Sequence, residues 1–224
     1  MGGVLTALPL VAGPTLWFFA LEQSAAFAAR AAHGTLLALI SVGSYALAYA
    51  HASRRLAWPG ALALAFIAWT ATTVVFYALP VPALPGLAIL AASCALAHWL
   101  MPPVGGPIVA GAPPRWDLTL RMSAAAGLVL AVTTAADWLG PRLSGFLASF
   151  PLATTILVAF THAQRGSSGV VAFFRGFLPV LPMFGVFCVL VTVTLGRISI
   201  AAAFLTALAI QVGLQLIILW WMRR

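Results

Sequence analysis

The stretch ALPLVAGPTLWFFALEQSAAF, residues 7–27, is an apolar run that is long enough to enter a membrane but carries helix breakers in its first half. Pro9, Gly13 and Pro14 are these breakers, and Glu22, one of only three side-chain carboxylates in the protein, stands near the end of the run. Proline removes a backbone donor and clashes with the preceding helical turn. Backbone groups freed at that depth need partners from protein or water. The run therefore predicts a membrane helix that is broken for a functional reason.

The whole chain shares this apolar character. Of its 224 residues, 63% are hydrophobic and 6% are charged, and its mean hydropathy is +1.10. Water-soluble domains carry about 25% charged residues, so the composition excludes that class and predicts an all-α polytopic membrane protein. The net charge of +8 comes from arginines in short loops and at the C-terminus. This distribution is typical of orientation signals and disfavours nucleic-acid binding.

Polar residues and helix-breaking Pro and Gly residues divide the chain into eight predicted transmembrane helices, since one span needs about 20 mostly apolar residues. The predicted spans cover residues 3–22, 25–51, 57–79, 83–101, 117–138, 142–162, 169–194 and 198–221. Between the fourth and fifth spans, PPVGGPIVAGAPPRW (residues 102–116) is predicted to be a cytoplasmic linker. It separates an N-terminal transmembrane half, residues 1–101, from a C-terminal half, residues 117–224.

The arginines predict the orientation of these spans, because cytoplasmic loops of inner-membrane proteins collect basic residues. Under the eight-span arrangement, eight arginines fall on one side, namely Arg54, Arg55, Arg115, Arg121, Arg165, Arg175, Arg223 and Arg224. Only Arg30, Arg142 and Arg197 fall on the other side. The N-terminus lacks a basic region and a cleavage site of the signal-peptide type. The sequence therefore predicts a multi-pass protein of the bacterial inner (plasma) membrane with both termini in the cytoplasm.

The two halves resemble each other under a shift of 142 positions. This shift lays LTALPL (5–10) on LASFPL (147–152), and it superposes Pro9 on Pro151. It also superposes Phe18 on Phe160, Glu22 on Gln164, Gly34 on Gly176, Gly43 on Gly185 and Tyr45 on Phe187. Spans one to three then correspond to spans six to eight, and a shift of five spans reverses the direction of crossing. We therefore expect an inverted-topology repeat, which in many secondary transporters places the substrate site near mid-membrane.

Paired helix breaks in two related halves indicate a binding site, because half-helix ends present partial charges inside the membrane. The residues that shape this predicted site are Pro9, Gly13 and Pro14 in the first span and Pro151, Thr154 and Thr155 in the sixth. An ordinary kinked helix is the alternative for both spans, since Pro and Gly are frequent in membrane helices.

Ionisable and polar residues near these spans are candidates for contact with the substrate or a coupling ion, because a charge in the bilayer is costly unless it is paired, hydrated or protonated. Glu22 is the first candidate, with Arg30 as its candidate ion-pair partner. The alternative places Glu22 at the level of the lipid headgroups. The weaker candidates are Asp137, His162 and Gln164.

The sequence contains no convincing enzyme or metal motif. GSSG (166–169) fits the G-x-S-G of rhomboid-like intramembrane proteases, but no histidine follows it to act as the base. The four histidines lack H-E-x-x-H spacing, and three carboxylates supply a catalytic metal site poorly. Cys94 and Cys188 are far apart and are expected to be small packing residues. The chain is therefore predicted to be a non-enzyme without cofactor or metal.

These observations predict a secondary transporter or exporter of a small solute or amphiphile, which works by alternating access around breaks in spans one and six. Its expected partners are the lipid bilayer and an unidentified small molecule or ion, and the sequence is compatible with a homo-oligomer. Two alternatives stay open. One is a lipid flippase or scramblase with a groove open to the bilayer, and the other is a non-catalytic membrane subunit that packs through small residues such as AAFAARAAHG (25–34).

Overall fold

The computed structural model describes residues 12–106 and 152–222, together with residues 119, 122–123 and 126–127. Within these residues the chain forms seven helices. They are α1 (Ala12–Glu22), α2 (Ala25–Ala52), α3 (Trp58–Ala78), α4 (Ala83–Trp99), α5 (Leu152–Phe177), α6 (Leu181–Thr194) and α7 (Ile200–Met222). The described chain is all-helical, as its composition predicts.

Three of the described helices, α2, α3 and α7, are long and apolar enough to cross a membrane. The pair α5–α6 adds a fourth candidate span if the two helices, which are bent by 41°, are counted as one broken span. The structure is that of a helical membrane protein, but three or four spans are fewer than the predicted eight. Most of the predicted span 117–138 and the first part of the span 142–162 lie outside the described residues, as does most of the linker 102–116.

Four helices begin and end within two residues of their predicted positions: α2, α3, α4 and α7. Proline explains this accuracy at two of the boundaries. Pro59 occupies the first turn of α3, where its missing amide costs nothing. Pro80 and Pro82 separate α3 from α4, since neither can continue a helix from the preceding turn.

The prediction for residues 163–194 is wrong in its detail. A loop was expected at 163–168 and an unbroken span at 169–194, but α5 continues through the expected loop with only Gly166 outside helical geometry. The later segment is interrupted instead, by a turn at 178–180. Pro182 in the first turn of α6 accounts for this interruption, because proline is tolerated at the start of a helix and not in its interior.

Helix α5 is a hairpin of two helical arms that reverses at Gly166. Gly166 has φ 60° and ψ −165°, a conformation that glycine adopts without steric cost. A β-carbon added to Gly169 would lie 3.2 Å from Cγ2 of Thr161, whereas eight residues of straight helix span about 12 Å. The first arm (152–165) therefore folds back on the second arm (167–177).

Helices α1 and α2 form a second hairpin of the same kind. Ser24 caps the start of α2, and its hydroxyl accepts a hydrogen bond from the amide of Phe27 at 3.1 Å. The rings of Phe19 and Phe27 meet across the reversal with centroids 5.3 Å apart. These two positions correspond to Thr161 and Gly169 under the shift of 142, so equivalent residues make the contact in both hairpins.

The second arm of α5 and helix α6 together run antiparallel to α2. The ring of Phe174 lies 6.1 Å from that of Tyr49, near the end of α2. Farther along the chain, Gly185 packs against Leu36. The Thr192 hydroxyl donates to the Ala29 carbonyl at 3.4 Å, near the start of α2. The two segments that the shift superposes, 25–52 and 167–194, therefore lie side by side in opposite directions.

Buried positions in the two halves recur at a spacing of 142 residues. On α3 the buried face is formed by four residues at intervals of one turn, Ala61, Ala65, Trp69 and Thr73, and on α7 it is formed by Ala203, Ala207, Gln211 and Gln215. Each member of the second set follows its counterpart by 142 positions. On α2, Tyr45, Ala46 and Tyr49 are buried, as are Phe187, Cys188 and Val191 on α6. Buried positions on these helices thus recur at the spacing of 142 that the sequence indicates.

Candidate functional site

A stripe of hydroxyl side chains runs along one face of α2. Its members are Ser41, Tyr45, Tyr49 and Ser53, which recur at every fourth residue and therefore share one side of the helix. All four residues are buried, and both tyrosines are completely inaccessible. A polar stripe in the interior of an apolar bundle is costly unless its groups are hydrogen-bonded, so its partners identify the site.

Two of these hydroxyls are bonded to the first arm of α5. The Tyr45 hydroxyl lies 3.2 Å from Oγ1 of Thr155, and the Tyr49 hydroxyl lies 3.4 Å from Nδ1 of His162. The Tyr49 and His162 rings also meet edge to face, with centroids 5.7 Å apart. We call this line of contacts between α2 and the first arm of α5 the polar seam. It joins residues more than 100 positions apart in the chain.

Aromatic rings close the polar seam on both sides. Phe66 of α3 lies 5.6 Å from the Tyr45 ring, and Phe174 of the second arm of α5 lies 6.3 Å from it. These rings pack against Tyr45, which has no solvent-exposed surface. Hydrogen bonds in such a dry environment are stronger than in water, and an unpaired group is correspondingly more costly.

Further buried polar side chains lie on α3, α5 and α7. They are Thr154 next to the seam, Thr73 on α3, and Gln211 and Gln215 on α7. Among the described residues, Oγ of Ser41 and Nε2 of Gln215 have no hydrogen-bond partner. A fully packed apolar core would not retain such groups, since each costs about 1–3 kcal/mol when buried unpaired.

The structure brings three of the predicted site residues together, Thr154, Thr155 and His162. It does not break the helices at the four predicted break residues that it describes. Gly13 and Pro14 are helical in the first described turn of α1, and Thr154 and Thr155 are helical in α5. The breaks lie instead at the hairpin reversals and at the turn before α6. Pro9, Asp137 and Pro151 lie outside the described residues.

The remaining predicted residues lie at the two hairpin reversals or close to them. Glu22 is exposed at the end of α1, and Arg30 is exposed on α2. No ion pair between them is present in the described part of the chain, although the sequence suggested one. Gln164 is exposed in the reversal of α5, where it makes a contact. The roles proposed for Glu22, Arg30 and Gln164 stay predictions.

Sequence reasoning missed the two tyrosines that form most of the seam. Their signal was present, because hydroxyl side chains at every fourth residue of an apolar span mark one polar helical face. The partners could not be found in this way, since Thr155 and His162 belong to another helix.

An apolar groove of about 360 Å³ lies between α2, α3 and α4, away from the seam. Its floor carries three hydroxyls, those of Ser44, Thr72 and Ser93. Each of them donates to a group inside the bundle: Ser44 to the Ser41 carbonyl at 2.8 Å, Thr72 to the Ala68 carbonyl at 2.8 Å and Ser93 to the Ile40 carbonyl at 3.0 Å. The groove therefore presents satisfied hydroxyls and hydrocarbon walls, which suit an apolar occupant.

The described residues contain no group of three or more His, Cys, Asp and Glu side chains that could hold a metal ion. Cys94 and Cys188 are both buried and unpaired, as expected of packing residues. Comparison of the chain with protein families, with curated proteins and with solved structures finds no match.

Proposed function

We propose that the protein is a secondary transporter or exporter of a small solute or amphiphile. Two structural units move against each other in this mechanism. The N-unit comprises α1–α3 (residues 12–78), and the C-unit comprises α5–α7 (residues 152–222). Alternating access then opens the region between the units first to one side of the membrane and then to the other.

The internal geometry supports an inverted repeat of these units. Each unit begins with a helical hairpin, reversing at Ser24 in one and at Gly166 in the other. The corresponding segments 25–52 and 167–194 are antiparallel, as the contacts of Thr192 with Ala29 and of Phe174 with Tyr49 require. Ser24 stands at the start of α2, whereas Gly166 follows His162 beside the end of α2. Oppositely oriented repeats of this kind are a common plan of secondary transporters.

The observation that carries the proposal is the placement of buried polar groups where the two units meet. Tyr45 and Tyr49 of the N-unit bond to Thr155 and His162 of the C-unit. In a chain with 6% charged residues, polar side chains at this depth are expensive and are typical of a substrate or ion pathway. The polar seam thus places four hydrogen-bonding side chains between the two units of a mostly apolar chain.

The two units are not equivalent in chemistry, which suits a directional carrier. Tyr45 and Tyr49 correspond to Phe187 and Val191 under the shift of 142. One side of the assembly is therefore closed by hydrogen bonds, and the equivalent positions on the other side carry hydrocarbon only. We expect the hydrogen-bonded side to open in response to a polar ligand or ion.

The arginines support an orientation in which the reversal of α5 faces the cytoplasm. Arg54 and Arg55 follow the end of α2, and Arg165 lies in the reversal of α5. Arg175 is near the same end, since its guanidinium donates to the Met101 carbonyl at 3.0 Å just after α4. Arg30 lies near the opposite end of α2. The first four form the basic cytoplasmic surface of a bacterial inner-membrane protein under the positive-inside rule.

A lipid-handling protein is the second candidate, and the groove between α2, α3 and α4 favours it. The groove is open, and its floor hydroxyls are satisfied within the bundle. A volume of 360 Å³ equals about twelve groups of water size, at roughly 30 Å³ each. This volume would accept much of one acyl chain, so an amphiphilic substrate is compatible with both candidates.

Cysteine accessibility tests the transport proposal without knowledge of the substrate. Cys94 and Cys188 are first replaced by alanine, and a single cysteine is then introduced at Thr154 in the buried site or at Ile67, which is 65% exposed on α3. A charged, membrane-impermeant methanethiosulfonate reagent reacts only with thiols that water can reach. We expect T154C to be labelled from either side of the membrane, and I67C from neither. Labelling of T154C from one side only, or from neither, would contradict alternating access.

A further inference from the structure

We infer that the His162–Tyr49 pair binds the coupling proton of the carrier. This inference rests on the proposed transport function and deepens it, because it names the coupling ion and the group that receives it. The ligand is a proton from water, and the imidazole nitrogen of His162 is its acceptor.

His162 differs from the other three histidines in the partner that it contacts. The imidazole of His33 bonds to the Val81 carbonyl at 2.9 Å, and that of His51 bonds to the Leu47 carbonyl of its own helix at 3.0 Å. His98 lies in the last turn of α4. Among the described residues, only His162 bonds to a side chain of the opposite unit, through Tyr49. A change in its charge therefore acts directly on the contact between the units.

The position of His162 also suits proton exchange. It is half-buried, with the inaccessible Tyr49 on its inner side. On its outer side, Ala163, Gln164 and Arg165 are exposed in the reversal of α5. Water can reach this reversal, whereas the inner side of the imidazole faces the packed seam. The imidazole thus stands at the boundary between solvent and the polar pathway.

Protonation reverses the hydrogen bond between the two side chains. In the neutral tautomer that carries its hydrogen on Nε2, Nδ1 holds a lone pair and accepts the hydrogen of the Tyr49 hydroxyl, which lies 3.4 Å away. When a proton from water binds this lone pair, Nδ1–H becomes a donor, so the Tyr49 hydroxyl must turn and donate elsewhere. The N–H bond is the only bond that forms, and it breaks again when the proton is released after reorientation. Each proton therefore rearranges the seam once on binding and once on release.

The charged groups around the seam favour its opening when His162 is protonated. From the end of α2, Arg54 and Arg55 contribute exposed positive charges, and Arg165 contributes another from α5. Besides Tyr49, the only ionisable group on this face of α2 is Tyr45, which bonds to Thr155. The described side chains of α3 include no ionisable group. The described residues contain one carboxylate, Glu22, and it lies in the other hairpin reversal, so none of them offsets the repulsion between these arginines and an imidazolium at His162.

The experiment measures the distance between the units as a function of pH. In the full-length protein without its two native cysteines, nitroxide labels are placed at Leu56, after α2, and at Ala163, in the reversal of α5. Both residues are exposed. Pulsed electron paramagnetic resonance in lipid nanodiscs then records the distance distribution between about pH 5 and pH 8, the range in which a histidine titrates. We expect a second, longer distance to gain population as the pH falls.

Three variants separate the proposed site from other histidines. His162→Gln should abolish the change with pH, whereas His51→Gln, which removes an exposed imidazole at the same end, should leave it intact. Tyr49→Phe should shift its midpoint, because the imidazole loses its hydrogen-bond donor. A wild-type distribution that does not respond to pH, or a response that survives in His162→Gln, would overturn the inference.

Two further measurements keep the result interpretable. If His162→Gln does not fold, nuclear magnetic resonance of ¹⁵N-labelled histidine in the wild type and in Tyr49→Phe tests whether His162 titrates in contact with Tyr49. The inference would be refuted if Tyr49→Phe changed none of the four histidine titration curves. The failure of transport itself is distinguishable through T154C. If T154C is labelled from both sides but the distance between the units does not respond to pH, only the proton site is refuted. If T154C is not labelled from either side, the proposed transport function is refuted.

Discussion

Ser24 and Gly166 are 142 positions apart, and each reverses the chain between two packed helical arms, at opposite ends of α2. Ser24 achieves the reversal with extended backbone and a capping hydroxyl, whereas Gly166 uses the left-handed region at φ 60°. The two chain reversals are thus formed by different backbone conformations. This difference predicts that the two positions respond differently to substitution.

Gly166→Ala should destabilise the protein, because a residue with a β-carbon costs about 1–3 kcal/mol in backbone of positive φ and ψ near −165°. No neighbouring atom stands within 4 Å of the added carbon, so the loss would come from the backbone alone. Gly213→Ala in α7 is the matched control, because its surroundings are equally open and it has no positive φ. The control should gain about 0.5–1 kcal/mol. Thermal unfolding in detergent measures both, and equal stability of the two variants would contradict the hairpin geometry.

Alanine substitutions at two glycines of α2 should distinguish the effect of close packing on stability from the effect of helix propensity. Gly43 faces α4, and an added β-carbon would collide with Oγ of Ser93, whose hydroxyl is held by the Ile40 carbonyl. Overpacking of this kind costs about 1–3 kcal/mol, so Gly43→Ala should lower the unfolding temperature. Gly34→Ala in the same helix meets no atom within 4 Å and should be neutral or stabilising. If Gly34→Ala were destabilised and Gly43→Ala were unaffected, the packing of α4 against α2 at Gly43 would be wrong.

The hydrogen bond between Tyr45 and Thr155 should be measurable by a double-mutant cycle. Tyr45→Phe leaves Oγ1 of Thr155 buried without this partner, which should cost about 1–3 kcal/mol. Thr155→Val should cost a similar amount, and the double variant should cost less than the sum of the two. A coupling energy of at least about 0.5 kcal/mol is expected for residues in contact. Strict additivity would show that the two helices do not meet at these residues.

The groove between α2, α3 and α4 should hold an acyl chain if the lipid-handling candidate is correct. Ala92 lines the groove, and its neighbour Ala91 is exposed but does not. Ala92→Trp should fill the groove and reduce crosslinking by a photoactivatable phospholipid, whereas Ala91→Trp should leave crosslinking unchanged. The expected ratio of crosslinked product between the two variants is several-fold. Equal crosslinking would remove the groove as a lipid site.

The sequence predicted the helices well where single residues decide a boundary. Pro59 begins α3, and Pro80 and Pro82 separate α3 from α4, because proline acts through its own backbone. The hairpin at Gly166 was mistaken for a loop of six residues. Serine and glycine in GSSG favour loops by composition, and only the packing of Thr161 against Gly169 shows that one residue suffices for the reversal.

The site was predicted less completely than the helices. Thr154 and Thr155 were identified through their place near a predicted break, although the break itself is not at the threonines. His162 was identified as an ionisable residue near the end of the sixth predicted span. Tyr45 and Tyr49 were missed, because hydropathy treats a tyrosine in an apolar span as ordinary packing. Their importance depends on Thr155 and His162, and the pairing of distant helices is not encoded in local periodicity.

The opposite orientation of the two hairpins gives the most decisive prediction for the repeat. Gln23 is exposed in the first reversal, and Ala163 is exposed in the second. With Cys94 and Cys188 replaced by alanine, a single cysteine at Gln23 should react with a membrane-impermeant maleimide from the outside of intact cells. A single cysteine at Ala163 should react only in inverted vesicles, because the arginine-rich end of the molecule is expected to face the cytoplasm. Reaction of both cysteines from the same side would show that the two units share one orientation, and the carrier proposal would then lose its structural basis.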